Sequence, residues 1–373
     1  SLAAAMRRLA PLTLAVLPLV ALAACGGDDD DTAATTTVAA STTIPETTTT
    51  IDPERCFEVP EAAIPTTTAP PTTAPSSVGP AVPTTAPATT VPPTTAPAEA
   101  PPGTATPGVD PDEFPADERP EALRPCTIPD ALAVTVLRPG TGRAAQAGDQ
   151  IFIDYAGIRS ADGTPFDDSY ARGEPFSVNL GSGGVIAGWD QGLVGAQAGA
   201  LIRLDIPAEL AYGDTPPGSG VIQAGDALTF VTEVRFVVPA TTVADRPLDV
   251  TVEVSEGATE VTTSDWVTGD GPVLQEGQTA VIHALLVRGD NRVIFQDTYS
   301  VNEPASIALI PGGVSLPGLV EGLIGATVGS TRVIVIPAAD AYGAEGAPTI
   351  GLPPDTDVII VAEIFGVYGT PVD

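Results

Sequence analysis

Residues 206–213 read IPAELAYG, and the same pattern returns as IPAADAYG at residues 336–343. Upstream of each copy, GLVG at residues 192–195 is repeated as GLIG at residues 322–325, at the same spacing. A repeat unit of this length indicates a duplicated globular domain, because the units of solenoid proteins are far shorter. The second half of the chain therefore repeats the first, and the differences between the two copies become the main clue to function.

The first copy has the pattern of a small α+β domain. Its predicted strands are rich in β-branched and aromatic residues and lie at residues 133–137, 151–155, 176–180, 200–206 and 228–237. Ile186, Trp189 and Leu193 are spaced by three and four positions, which predicts one short helix within residues 185–194. The second copy, from about residue 265 to residue 368, has the same order. We therefore expect two domains, each an antiparallel β-sheet curved around one short α-helix.

Charge and composition exclude several classes of function. The chain has 47 acidic residues against 15 basic ones and a formal net charge of -32, so it lacks the clustered cations that nucleic-acid binding requires. Its one histidine, His283, lies in the second copy, which excludes histidine-based triads from the first. The sequence also has neither the Cys and His spacings of metal sites nor a glycine-rich phosphate loop. We expect no metal, no cofactor and no nucleophilic catalysis.

The N-terminal residues have the pattern of a secretory signal. Residues 6–8 (MRR) are a short basic start, residues 12–24 are apolar, and small residues precede Cys25. This segment is similar to the lipobox of bacterial lipoproteins, which implies that residues 1–24 are removed and that Cys25 is acylated. The expected location is the extracytoplasmic face of the bacterial cell membrane. Ordinary cleavage that leaves a free cysteine is the alternative.

Residues 25–126 are dominated by Thr, Pro and Ala and are predicted to form a disordered tether. The segment has no apolar periodicity and too few large side chains to offset the entropy of ordering. Its prolines favour extended polyproline II structure, so we expect it to hold the folded part away from the membrane. With Cys25 acylated, Cys56 and Cys126 are left as a pair in an oxidising compartment, where we expect a disulfide. Two free thiols are the alternative.

Four motifs in the first copy carry a resemblance to a known family. They read DYAG at residues 154–157, FDDS at residues 166–169, VIAGW at residues 185–189 and AYG at residues 211–213. On these motifs, residues 134–237 resemble the FKBP-type peptidyl-prolyl isomerases. The loop at residues 213–224 departs from the family pattern, because it contains DTPPGS and no histidine. The family's substrate preference at this loop is therefore not carried over.

The resemblance implies a substrate pocket in the first copy and assigns its residues. Its walls would be Tyr155, Phe166, Phe176, Val185, Ile186, Tyr212, Ile222 and Phe230. Trp189 would form the base, with Asp167 and Arg172 at the edge. The Ile186 backbone N–H and the Tyr212 hydroxyl would donate hydrogen bonds to ligand carbonyl groups. The residues expected to act in catalysis are Tyr155, Phe166, Asp167, Trp189, Tyr212 and Phe230, and the others would bind the substrate.

Apolar and aromatic side chains suit rotation about an X–Pro bond. The rotation breaks amide resonance against a barrier of about 18–20 kcal/mol and makes no bond to a heavy atom, so it needs no nucleophile. A twisted amide has less charge separation than a planar one, and an apolar pocket therefore favours it relative to water. Acceleration by about three to five decades requires about 4–7 kcal/mol of preferential binding of the transition state.

The second copy lacks most of these side chains. With one inserted residue between the two sets of matches, Tyr155, Asp167, Arg172, Phe176, Trp189 and Phe230 correspond to Ala284, Gln296, Val301, Ala305, Leu319 and Ile360. Among the aromatic positions, Phe295 and Tyr342 alone keep their type. A residue needed only for packing should be replaced by one of similar volume, and alanine does not replace tyrosine or phenylalanine in this sense. The comparison predicts a pocket rather than plain core in the first copy.

We therefore expect residues 127–240 to form the active isomerase domain and residues 255–373 to form a degenerate domain with little or no activity. The predicted substrates are proline-containing segments of secreted or envelope proteins. One alternative is a lipoprotein chaperone or scaffold that binds such segments without turnover, and another is a structural lipoprotein with vestigial pockets. Residues 241–264 between the copies are partly strand-like, which leaves both a hinge and an ordered connection open.

Overall fold

The computed structural model describes residues 55–60, 119–218, 220–313 and 316–372. The predicted signal sequence, Cys25 and most of the predicted tether lie outside these described residues. Within the described part of the chain, no helix combines the length and the apolar character needed to cross a membrane.

The first domain is one antiparallel sheet with a short helix on one face. Its elements are β1 (Ala133–Arg138), β2 (Gln150–Arg159), β3 (Pro165–Asp168), β4 (Phe176–Asn179), α1 (Ala187–Gly192), β5 (Leu201–Ile206) and β6 (Leu228–Val238). The strand order is β1-β5-β6-β2-β3, and β4 pairs with β2 on the same edge as β3. All of these pairings are antiparallel, which confirms the predicted α+β class.

Two elements of this domain differ in detail from the sequence-based expectation. α1 has 6 residues and occupies the middle of the predicted helical range, because Ile186 before it is extended at φ -60 and ψ 144. β3 is a strand that the sequence does not predict, since proline and aspartate are depleted in strands. Proline is tolerated at the start of an edge strand, which is the place β3 occupies.

The second domain repeats the first. Its elements are β7 (Thr262–Val267), β8 (Thr279–Arg288), β9 (Ile294–Asp297), β10 (Ala305–Ala308), α2 (Pro317–Leu323), β11 (Thr331–Ile336) and β12 (Val358–Tyr368). The strand order is β7-β11-β12-β8-β10, with β9 also paired to β8. The duplication read from the sequence is therefore a duplication of the whole fold, beginning at β7 slightly before the expected start.

Glycine allows each helix to lie close to its sheet. A Cβ at Gly188 would come within 2.4 Å of a methyl carbon of Ile206 on β5, and Gly192 one turn later is similarly enclosed. On α2, Gly318 and Gly322 have the same role against β11. Residues four apart lie on one face of a helix, so each pair forms a smooth contact surface. This surface fixes the height of the helix above the sheet.

The face of the first sheet opposite α1 is covered by the described pieces of the N-terminal segment. The structure joins Cys56 and Cys126, the predicted pair, through a disulfide. Next to it, the ring of Phe57 lies 4.4 Å from the guanidinium of Arg203, which points away from the α1 face. Arg203 is only 1% exposed and donates a hydrogen bond to the Leu123 carbonyl at 2.7 Å. The covering segment is thus bound by both apolar and polar contacts.

The connection between the copies is packed against the second domain. Val250 belongs to the apolar cluster on the face opposite α2, together with Tyr299. Ser255 donates its backbone N–H to the carbonyl of Gly289 at 2.9 Å. Residues 241–261 therefore form an ordered cover for the second sheet, and residues 262–264 begin its strand β7. The connection is thus ordered, which decides between the two possibilities left open by the sequence.

The two sheets meet through aromatic side chains of β2, β6 and β12. Phe152 and Phe236 stack with their ring centroids 4.6 Å apart, and the Tyr368 ring lies 6.4 Å from that of Phe152. Val281 is part of the same buried cluster. Gly366 permits the contact, because a Cβ at this position would come within 2.5 Å of the Phe236 ring. The contact between the domains at these rings is therefore apolar and closely packed, and the Asn302 side-chain amide adds a hydrogen bond to the Gly148 carbonyl at 3.4 Å.

Candidate functional site

Five aromatic rings meet on the α1 face of the first sheet. They are contributed by β2, β3, β4, α1 and β6 and belong to Tyr155, Phe166, Phe176, Trp189 and Phe230. The Trp189 ring is central, with centroid distances of 5.1 Å to Tyr155 and 5.0 Å to Phe230. Its third neighbour, Phe176, lies at 5.9 Å. These contacts are edge-to-face, the geometry that aromatic quadrupoles favour. The structure thus brings the predicted rings together.

The site has a buried floor and an accessible rim. The floor consists of Tyr155, Trp189, Ile222 and Phe230, each at most 5% exposed. The rim consists of Phe166, Phe176, Val185, Ile186 and Tyr212. Phe176 and Tyr212 are the most accessible of the rim residues, at 39% and 38% exposed. An apolar ligand would contact these rim side chains first.

Gly157 on β2 allows two of the rings to close over the sheet. A Cβ at Gly157 would lie 2.8 Å from the Phe166 ring and 2.9 Å from the Phe230 ring. In the second domain the equivalent cross-strand pair is Leu286 with Ile360. The leucine refills part of the space that the smaller side chains of this copy vacate. Sequence reasoning missed this compensation, for which a glycine inside a strand is the available signal.

Tyr155, Asp167 and Arg172 form one hydrogen-bonded group at the edge of the rings. The Tyr155 hydroxyl and the Arg172 guanidinium both donate to the Asp167 carboxylate. A second Arg172 N–H donates to the Tyr155 hydroxyl oxygen at 3.0 Å. This group gives the Tyr155 ring a fixed orientation in the floor of the site.

Each member of this hydrogen-bonded group keeps a single ionisation state near neutral pH. Burial, together with the hydrogen bond to Asp167, raises the pKa of Tyr155 to about 12. Burial also raises the pKa of Asp167, but the hydrogen bonds from Tyr155 and Arg172 outweigh it, and the net pKa is lowered. A neutral phenol, a carboxylate and a guanidinium are therefore present throughout the physiological range, and none of them is poised to transfer a proton.

Two hydrogen-bond donors at the rim have no partner among the described residues. They are the backbone N–H of Ile186, just before α1, and the hydroxyl of Tyr212. Burial, and then the negative charge of Asp167, raise the pKa of Tyr212, so its hydroxyl keeps its proton. These are the two donors that the family resemblance assigns to ligand carbonyl groups.

Asp190 holds the loop that leads into the site. Its carboxylate accepts hydrogen bonds from the backbone N–H groups of Gly181 and Gly183, both at 2.9 Å. These contacts fix the segment that presents Ile186 at the rim. Sequence reasoning missed this residue, although an acidic side chain in the first turn of a helix after a glycine-rich loop is a usable signal. The equivalent residue on α2 is the buried Val320, so the second domain lacks this contact.

The corresponding face of the second domain is lined by smaller side chains. Ala284 and Ile360, in place of two rings, are 4% and 0% exposed. Phe295 and Tyr342 are retained and lie partly buried against this core. Val301 replaces the arginine of the polar edge and is 60% exposed. The second domain therefore has neither the ring cluster nor the hydrogen-bonded edge of the first.

His283 lies on the other face of the second sheet, away from this apolar core. Its Nδ1 atom is 2.8 Å from the Thr298 hydroxyl, and its ring stacks on Tyr299 with centroids 4.9 Å apart. Within the part of the chain that the structure describes, no group of three or more Cys, His, Asp or Glu side chains is arranged to hold a metal ion.

A model of the FKBP-type peptidyl-prolyl cis-trans isomerase family matches the chain twice, at residues 141–235 and 271–364. Together the two matches span just over half of the sequence. The chain belongs to this family. Each match falls on one of the two sheets, so the tandem repeat consists of two FKBP domains. Peptidyl-prolyl isomerisation is accordingly the activity of this FKBP chain.

Similar proteins match single FKBP domains. The FK506-binding protein of Streptomyces anulatus is 45% identical over 103 residues, which are 28% of this chain and 83% of that protein. FK506-binding protein 1A of Neurospora crassa is 43% identical over 110 residues, 29% of this chain and 90% of that protein. The crystal structure of FkpA from Escherichia coli is similar at 37% sequence identity and a TM-score of 0.27, covering 35% of this chain and 56% of that one.

Proposed function

We propose that the first FKBP domain carries the isomerase activity and that the ring cluster around Trp189 is its substrate site. The observation that supports this most directly is the combination of an accessible apolar rim with two donors that have no partner in the described part of the chain, the Ile186 N–H and the Tyr212 hydroxyl. A prolyl ring would cover the apolar surface, and the carbonyl groups next to it would accept hydrogen bonds from the donors.

Magnitudes indicate which contribution dominates catalysis. Two hydrogen bonds contribute about 1–3 kcal/mol together, at about 0.5–1.5 kcal/mol each. An acceleration of about three to five decades requires about 4–7 kcal/mol. The larger share must therefore come from the apolar surroundings, which favour the less polar twisted amide over the planar one. In this account the rings of Tyr155, Trp189 and Phe230 exclude water, and the hydrogen bonds orient the segment.

The hydrogen bonds among Tyr155, Asp167 and Arg172 would orient the site rather than take part in the chemistry. Asp167 and Arg172 hold the Tyr155 ring through the hydrogen bonds described above. Because none of these groups changes its ionisation near neutral pH, we expect a flat pH profile of the reaction between about pH 6 and pH 8.

A pair of matched substitutions tests the proposal in the full chain. Tyr212→Phe removes the hydroxyl of the first site and keeps the ring, and Tyr342→Phe does the same in the second domain. We expect the first change to lower kcat/KM on a short X–Pro peptide by about tenfold, the effect of one hydrogen bond. The second change should leave kcat/KM within twofold. An equal loss in both variants, or a loss in Tyr342→Phe alone, would contradict the assignment.

We further propose that the protein acts on secreted or envelope proteins at the outer face of the cell membrane, anchored through Cys25. The signal-like N-terminal sequence and the disulfide between Cys56 and Cys126 support this location. Incorporation of a labelled fatty acid into the wild-type chain, and its loss in Cys25→Ser, is the expected result. Release of the labelled wild-type chain into the soluble fraction would refute the anchor.

The second domain is a candidate for binding proline-containing segments without turnover. Its exposed Val301 and Ile310, at 60% and 52%, favour contact with apolar chains. In this case the full-chain variant Tyr212→Phe, with its isomerisation reduced about tenfold, would suppress aggregation of an unfolded client protein as well as the wild type does. A parallel loss of both properties would instead place binding and catalysis in the first domain.

A further inference from the structure

Both ends of residues 61–118 are attached to the catalytic domain. On one side, Cys56 is bonded to Cys126, with their Cα atoms 4.9 Å apart. On the other side, Arg119 forms an ion pair with Asp168 on β3. The chain between these two attachment points, residues 61–118, is therefore joined at both ends to the domain that carries the ring cluster.

The returning end lies beside the candidate site. Asp168, the partner of Arg119, directly follows Asp167, which accepts the hydrogen bonds of Tyr155 and Arg172. Half of the loop can extend over roughly 90 Å at about 3.3 Å per residue. A domain of this size has a radius of gyration of about 13 Å. The rim of the site is therefore well within reach of the loop.

The loop sequence matches the chemistry of the site. Residues 62–98 contain no charged side chain, and proline recurs along them, most often after alanine or valine. An uncharged segment avoids repulsion by a protein whose formal net charge is -32. An apolar rim with two hydrogen-bond donors would bind the apolar X–Pro bonds that this segment contains.

We propose that X–Pro bonds of residues 62–98 bind at the ring cluster of the same molecule and compete there with client segments. This inference rests on the proposed function of the site. Covalent attachment through a linker that spans the distance gives a ligand an effective concentration in the millimolar range. Substrates of ordinary enzymes have KM values up to about 1 mM, so even a weak internal ligand occupies a substantial fraction of the sites. Such a ligand raises the apparent KM and leaves kcat unchanged.

The test compares three full-length chains. The first is the wild type, the second carries Ala at every proline of residues 62–98, and the third carries Ser at every threonine of the same residues. Both variants keep the chain length, the charge and the disulfide. With a short chromogenic Ala-Pro peptide, we expect the proline variant to show a KM lower by about two- to tenfold at unchanged kcat. The threonine variant should match the wild type. Equal KM values in all three chains would overturn the proposal.

Two further readouts separate this inference from the proposed function. If none of the chains isomerises the peptide, the proposed function fails, and internal binding is then decided by the backbone NMR signals of Ile186 and Tyr212. Different positions of these signals in the wild type and the proline variant would support internal binding, and identical positions would overturn it. The KM difference must also persist on tenfold dilution of the protein. A difference that disappears would mean that the loop binds another molecule, which contradicts the proposal.

Discussion

At the scale of single residues, His283 is the clearest case of a side chain whose surroundings fix its charge. It is 0% exposed and packs between the rings of Tyr299 and Phe365. Its Nε2 atom has no hydrogen-bond partner among the described residues. Burial lowers the pKa of His283 to about 4, against a smaller opposing effect of Asp297. The folded protein therefore holds a neutral imidazole at neutral pH.

This pKa predicts a loss of stability in mild acid. Below the ordinary value of 6.5, the unfolded chain takes up a proton that the folded chain refuses until about pH 4. The stabilisation is complete above pH 6.5 and is lost as the pH falls to 4. As the pH falls from 6.5 to about 4, we expect this one group to lower the free energy of unfolding by about 2–3 kcal/mol.

The measurement uses urea unfolding at pH 7 and pH 4.5 for the wild type and for His283→Gln. The wild type should lose more stability than the variant over this interval, and its single imidazole should titrate near pH 4 by NMR. An NMR midpoint near 6.5, or the same acid sensitivity in both chains, would contradict the buried environment.

The ring set of the site could be predicted from the sequence because its members lie in recognisable motifs. The exchange of Gly157 for Leu286 could not be predicted in the same way. Leu286 compensates for the smaller Ile360, which pairs with it across the sheet but is distant in sequence. The exchange of Tyr155 for Ala284 therefore overstates the difference in packing between the two domains. The second domain has less ring volume than the first, and Leu286, on the same strand as Ala284, fills part of the difference.

At the scale of secondary-structure elements, the two short helices depend on their glycine faces. α1 presents Gly188 and Gly192 to β5, and this contact determines how Trp189 lies over the sheet. The sequence predicts the existence of α1 from the spacing of its apolar residues. Its extent is shorter than that pattern allows, because Ile186 is held extended in the loop that Asp190 fastens.

Gly188→Ala tests the close approach of α1. Its Cβ would come within 2.4 Å of Ile206, and we expect overpacking to cost about 1–3 kcal/mol despite the better helix propensity of alanine. The displaced Trp189 should lower kcat/KM several-fold. Gly318→Ala should destabilise the second domain similarly and leave the activity unchanged.

Gly218→Ala is the control, since an added Cβ there meets no atom within 4 Å. The stability of the three variants is compared by urea unfolding, and their activity by peptide isomerisation. Full activity and wild-type stability of Gly188→Ala would show that α1 does not depend on this contact.

At the scale of the whole molecule, both sheets have a cover on the face away from their helix. The disulfide-linked N-terminal pieces cover the first sheet, and residues 241–261 cover the second. The domains also contact each other directly, where Phe236 packs over Gly366. The composition of these covering segments gave no sign of their position, because few of their residues are large and apolar, and their partners are distant in sequence.

Loss of the disulfide is expected to weaken the first domain selectively. Cys56 and Cys126 are 70 residues apart. Closing a loop of this length lowers the entropy of the unfolded chain and so raises its free energy by about 4 kcal/mol. The variant with both cysteines changed to Ser should therefore unfold its first domain at a lower urea concentration. Reductant should shift the wild type in the same direction and leave the variant unchanged. An unchanged midpoint in the variant would mean that the bond does not constrain the domain.

The most direct test of the account is the isomerisation rate of a short X–Pro peptide, measured by NMR exchange with full-length variants. Trp189→Leu gives the first domain the residue of the second, and Leu319→Met is a volume-conserving control at the matched position. We predict that kcat/KM falls by at least about tenfold in Trp189→Leu, with the fold retained, and stays at the wild-type value in Leu319→Met. Full turnover by Trp189→Leu, or its loss in Leu319→Met, would contradict the claim that the ring cluster of the first domain performs the catalysis.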